Sequence, residues 1–186
     1  MKNIIFYARL VKVASYLLMP AIAIGFFIKW LSPELSLPNP HLFGLFLSYT
    51  FNDYTTIGEI IPAMPFINRL AGMFFDGISF GLFITIFYLV AEIMNRFQNN
   101  ETFSVSTVGL FTLVSKFAFY LALYTPINRT ILSLITTLHN APGHRVISAS
   151  FGSADLFNIF IFGFLMVMTL LMQQATALQH EQSLTV

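Results

Sequence analysis

Four long apolar runs, at about 10–31, 70–94, 105–125 and 156–178, divide the chain. Each is close to the ~20 residues that a helix needs to cross a ~30 Å hydrocarbon layer. Helical spans satisfy their own backbone N–H and C=O groups, which hydrocarbon cannot do for them. The runs therefore predict an all-α integral membrane protein: a four-transmembrane-helix bundle in a single membrane domain, 1–186. Loops 32–69 and 126–155 would lie together outside as a small extracytoplasmic cap, and 95–104 would be a tight inner turn.

Composition closes the soluble alternative. Charged residues are 9% of the chain and hydrophobic ones 56%, with mean hydropathy +0.76, and 186 residues in water could not bury that much apolar surface. Nine Lys+Arg against eight Asp+Glu give a net charge of +1. No basic field is present to bind nucleic acid directly. With no cysteine, disulfides, thiolate nucleophiles and Cys-ligated metals are excluded.

Met1-Lys2 followed by an apolar run, with Ala21-Ile22-Ala23 as a cleavage-like box, has some features of a signal peptide. The apolar run continues past that box to Lys29-Trp30, which reads as an interfacial anchor and makes the segment a membrane span. Pro20, in mid-span, is expected to kink it. Lys2, Arg9 and Lys12 precede this span, which places the N-terminus in the cytoplasm by the positive-inside tendency. An even span count returns the C-terminus there, and the expected location is the cell's inner membrane.

Asn95 to Thr102, NRFQNNET, is short and polar and joins spans 2 and 3 as a hairpin. The outer segment 32–69 carries five prolines around HLFGLFLSYTF at 41–51. Outer segment 126–155 opens with PINRTILSLITTLHN, either a short helix or an extension of helix 3. A turn at Pro142-Gly143 and an extended piece should follow.

Ionisable residues inside spans attract attention because a lone charge at the bilayer centre costs at least ~2.5–3.5 kcal/mol on insertion scales. Asp76 lies about 9 Å into span 2 from outside and Lys116 about 16 Å into span 3 from inside, at ~1.5 Å per residue. An Asp76–Lys116 pair is the economical solution, either as a register pin or as a ligand or proton site. The alternative is Lys116 snorkelling alone. Glu92, near the inner end of span 2, is expected to be solvated.

Pro65-Phe66-Ile67-Asn68-Arg69 before span 2 echoes Pro126-Ile127-Asn128-Arg129 after span 3. Asn68, Arg69, Asn128 and Arg129 would then meet at the outer mouth of the hairpin. There they either hold an anionic head group or mark where helices leave lipid. Gly72, Gly77 and Gly81 permit a close helix approach in span 2. His139 and His144 flank the Pro142-Gly143 turn but form an incomplete metal set, and His41 and His180 are isolated. Asn100-Glu101-Thr102 and Asn128-Arg129-Thr130 match the short glycosylation pattern. No catalytic or cofactor motif occurs, so neither enzyme activity nor a cofactor is expected.

Ser104, after Phe103 at the interface, is placed to cap helix 3, and Ser153 or Asp155 to cap helix 4. At the C-terminus Leu178, Glu181 and Leu184 share a helix face and could dock a cytoplasmic partner.

Several stretches resemble one bacterial family. Asn99-Asn100-Glu101-Thr102-Phe103-Ser104, leading into Val108-Gly109-Leu110, is similar to the opening of the third helix in the four-span membrane family catalogued as domain of unknown function 2975. Ala154-Asp155-Leu156-Phe157, Gly163, and the ending from Ala175 through Leu178, Glu181 and Leu184-Thr185-Val186 resemble its closing pattern. The resemblance implies a membrane-bound regulatory role with a cytoplasmic regulator protein. Two functions stay in view: a non-enzymatic sensor or regulatory subunit, and a small transporter or permeation subunit using the Asp76–Lys116 level.

Overall fold

The structure, a computed structural model, describes residues 2–31, 64–99, 101, 104–149 and 151–184. Segment 32–63, with its stretch 41–51 and His41, lies outside the described residues, as do Asn100, Thr102, Phe103, Thr185 and Val186. Four helices form among the described residues: α1 (Lys2–Leu31), α2 (Phe66–Gln98), α3 (Val105–Thr137) and α4 (Ser153–Leu184). All four are long and apolar enough to cross a membrane.

The distribution of side chains suits hydrocarbon as the solvent. Leu17, Phe74 and Phe160 are each 68% exposed, whereas Thr107 and Asp155 are fully buried. Polar groups with nothing to bond in lipid turn inward, and apolar ones face out at no cost. The protein is a multi-pass membrane protein.

The helices overrun the apolar windows that announced them. Thirty to 33 residues reach about 45–50 Å, well beyond a ~30 Å hydrocarbon layer. The largest difference is in α3, expected to end near 125: it runs through Pro126 to Thr137. The opening of the second outer segment is thus an extension of helix 3. Pro126 removes one donor, as Pro20 does within α1, but neither ends its helix, because neighbouring groups in a bundle can cover the freed carbonyl.

The chain packs as two units: Met1–Met19 with Gly81–Leu123 and Asp155–Val186, and Pro20–Phe80 with Tyr124–Ala154. The first has a core of Leu89, Ile93 and Val114, with Phe97, Phe111 and Leu165 against it. Lys12 Nζ donates to Asn95 Oδ1 at 2.8 Å, tying α1 to α2. The Ser115 and Thr169 hydroxyls, 2.8 Å apart, tie α3 to α4.

The hairpin turn also belongs to this unit. Arg96 holds Glu92 at 3.2 Å and Glu101 at 2.8 Å, and Glu101 N–H returns to Arg96 C=O at 3.0 Å. Glu92 is therefore paired as well as partly solvated. Ser104 caps α3 as expected: its Oγ accepts from Thr107 N–H at 3.1 Å. Ser104→Ala should cost about 1 kcal/mol, measurable as a lowered unfolding midpoint in detergent. Asp155 falls in the first turn of α4, fully buried.

In the second unit Phe26, Trp30, Met64, Leu132 and Ile135 form the core, and Phe26 stacks on Phe80 with centroids 4.5 Å apart. Pro65 C=O accepts from Asn68 and Arg69 N–H at 3.0 and 3.2 Å as α2 begins. After α3 the chain turns where expected, with Gly143 at φ 97°, a conformation open to glycine. His144 N–H closes this turn on Ala141 C=O at 3.0 Å.

The strap that follows lies along α3. Val146 N–H donates to Thr137 Oγ1 at 3.0 Å and Ser148 N–H to Ser133 Oγ at 2.9 Å. Four residues of helix rise about 6 Å and two of extended chain about 6.6 Å, so two hydroxyls one turn apart match alternate amides of the strap. The other half of the expected cap belongs to 32–63, outside the described residues.

Candidate functional site

One buried carboxylate gathers side chains from three helices. Asp76, on α2, is 5% exposed. Its Oδ2 accepts from Lys29 Nζ at 2.7 Å and from Trp30 Nε1 at 2.9 Å, both on α1. Its Oδ1 accepts from Asn128 Nδ2, on α3, at 3.2 Å. Lys29 Nζ also lies 4.8 Å from the Trp30 ring centroid, where the indole face attracts a cation. One residue back, Phe75 C=O accepts from the Tyr124 hydroxyl at 2.9 Å.

The backbone makes room for this arrangement. Trp30 is 1% exposed, and its ring lies against Gly72, one turn before Asp76. A Cβ on Gly72 would stand 2.3 Å from Trp30 Cη2, so only glycine leaves the slot that lets the indole reach the carboxylate. Gly77 allows a looser approach, 3.8 Å from its Cβ position to Phe26 Cζ, and Gly81 has nothing within 4 Å.

The expected Asp76–Lys116 pair is corrected: the cation on Asp76 is Lys29. Asn128, which bonds Asp76, lies twelve residues along the chain from Lys116. Lys116 belongs to the other unit and is exposed. The error arose in the depth reckoning. Taking α3 to end near 125 left Asn128 outside the helix and made Lys116 look level with Asp76.

The outer-mouth echo is likewise redistributed. Asn68 Nδ2 donates to Ile135 C=O at 3.4 Å, while Asn128 serves Asp76. Both amides are buried, at 9% and 5% exposed, and are committed inside the protein rather than offered to a head group. Arg69 Nε donates to Met64 C=O at 3.2 Å, and Arg129 is half-buried. Of the expected tail face, Leu178 and Glu181 are exposed on α4, while the Leu184 side chain lies outside the described residues. Among the described residues no group of three His, Cys, Asp or Glu is placed to hold a metal ion.

Lys29 and Trp30 are the site residues that the sequence reading missed, having taken them as an interfacial anchor. A signal was present. A basic residue ending span 1 and an acidic residue near the start of span 2 flank the same connection between spans, and antiparallel helices bring such ends together.

Among the described residues, two buried polar atoms of this unit find no hydrogen-bond partner: Asn128 Oδ1 and Ser79 Oγ. Ser79 is one turn beyond Asp76 on α2. At the site itself the Asn128 amide, bonded to Asp76 through Nδ2, keeps an oxygen of unused accepting capacity.

Comparison with known proteins gives a family match. The profile of a family described as "Protein of unknown function (DUF2975)" matches residues 5–186. No curated protein and no solved structure matches the chain.

Proposed function

The chain belongs to that DUF2975 family, and on this premise we propose that it is a non-enzymatic membrane sensor or regulatory subunit, working with a cytoplasmic protein from the cell's inner membrane. The observation that carries this reading is the convergence of α1, α2 and α3 on Asp76. A buried ion pair is a poor way to gain stability, since apolar side chains of the same volume often do as well or better. It is a good way to build two states, because parting the pair leaves a charge on each helix that must find new compensation. The output in this reading is α4, which stays helical to Leu184 and exposes Leu178 at the end of the apolar stretch and Glu181 beyond it. Lys2, Arg9 and Lys12 orient both termini to the cytoplasm.

Crosslinking in native membranes tests the proposal. Full-length protein should capture a cytoplasmic partner, and protein lacking His180–Val186 should lose that capture while its thermal midpoint moves little. A reporter fused after Val186 should read as cytoplasmic. Unchanged capture would move the contact to 95–103, and loss of folding would make the tail structural. The permeation reading keeps Asp76 but loses Lys116 as its partner. Solute flux in proteoliposomes would favour it.

A further inference from the structure

We propose that Arg9, Lys12 and Lys116, at the end of the first unit where α2 turns into α3, bind the net-negative phosphate head groups of anionic phospholipids. Such binding needs neither the cytoplasmic partner nor the orientation proposed above.

The first observation is that two cations stand on apolar surface without a partner. Arg9 and Lys116 are exposed, and among the described residues neither makes a hydrogen bond or an ion pair. Phe6 and Val13, one turn to either side of Arg9, are exposed, and so are Leu113, Phe119 and Tyr120 around Lys116. Glu92 and Glu101, the carboxylates of the neighbouring hairpin, are both held by Arg96. A charge on a lipid-facing surface with no counter-charge in the protein is costly. A layer of anionic phosphates supplies the missing counter-charge.

The second observation is that the cations share one height in the unit. Lys12 Nζ donates to Asn95 Oδ1 at 2.8 Å, so α1 begins at the end where α2 turns into α3. A neutral amide leaves the charge of that ammonium uncompensated. Arg9 is three residues from Lys12, about 4.5 Å along α1. The Phe97 and Phe111 rings, with centroids 6.2 Å apart, join α2 to α3 two residues from Asn95. Lys116 follows Phe111 by five residues, about 7.5 Å. In height, all three cations therefore fall within about one helical turn of Asn95.

The third observation is direction. Helical side chains lean toward the N-terminus of their helix, and α1 and α3 both start at this end. Arg9, Lys12 and Lys116 thus lean toward the membrane surface there, with stems that can lie along their apolar neighbours. Tyr16 and Tyr120, one turn deeper than Lys12 and Lys116 on the same helix faces, are exposed as well. Tyrosines beside cations mark a membrane–water interface.

Native mass spectrometry tests the proposal, with full-length protein released from micelles holding equimolar phosphatidylglycerol and phosphatidylcholine. The protein should retain phosphatidylglycerol in preference. Arg9→Gln and Lys116→Gln should each lower that retention about fivefold, the effect of removing one cation near an anionic surface. Arg145→Gln is the control: Arg145 is also exposed but belongs to the other unit, and its loss should leave retention unchanged. Equal retention of the two lipids by the wild type would overturn the proposal, and so would a loss in Arg145→Gln as large as that in Arg9→Gln. The wild-type comparison decides even where a variant does not fold.

Discussion

Lys29→Met should cost about 3–5 kcal/mol of folding stability and Asp76→Asn a similar amount, while the double variant should cost less than either, because only the single changes leave a buried group uncompensated. In Lys29→Met the carboxylate keeps Trp30 and Asn128 as donors but has lost the positive charge that neutralised it. In Asp76→Asn an ammonium whose side chain is 13% exposed faces a neutral amide. Unfolding midpoints of all four proteins in one detergent give the coupling energy. Asp76→Asn combined with Lys116→Met is the control and should be additive, since the two residues share no partner. Additivity in the Lys29 cycle would break the pairing on which the candidate site is built.

Gly72→Ala should destabilise the protein although alanine is the better helix former. The added Cβ would meet Trp30 Cη2 at 2.3 Å and Cζ3 at 2.5 Å. The ring cannot simply retreat, because Nε1 is held by Asp76 and the indole is enclosed. Overpacking of this kind costs about 1–3 kcal/mol and occasionally more, against a gain of up to ~1 kcal/mol from propensity. The sign should reverse once Trp30 is cut to alanine, since the three atoms nearest the added Cβ all belong to the indole and the propensity gain then remains. Gly81→Ala, where nothing lies within 4 Å, should behave in the wild type as Gly72→Ala does without the indole. Trp30 emission should also shift in Gly72→Ala, because the indole must leave its bond to Asp76.

The class of this protein was decided by one-dimensional facts. Four runs near bilayer length, few charges and a polar inner hairpin dictate four helices whatever the side chains do next, because hydrocarbon leaves the backbone few other ways to satisfy itself. Local chemistry was equally legible where it acts over a turn or less. Ser104 capping α3 and the Pro142-Gly143 turn depend only on neighbouring residues, and both formed as the sequence implied.

Helix ends and side-chain partners were decided elsewhere. Hydropathy marks where a chain is apolar, while a helix continues as long as its backbone bonds are met, so α3 passes Pro126 and carries Asn128 level with Asp76. That overrun changed the partner of the carboxylate from Lys116 to Lys29. Spacing along a chain reports a charge's depth only when the ends of its helix are known, and its partner depends on rotation and approach as well. Here the approach is set by Gly72, which reads in sequence as one small residue among three. Only the packed helices show that Trp30 fills its slot and delivers both its own N–H and the neighbouring Lys29 to Asp76.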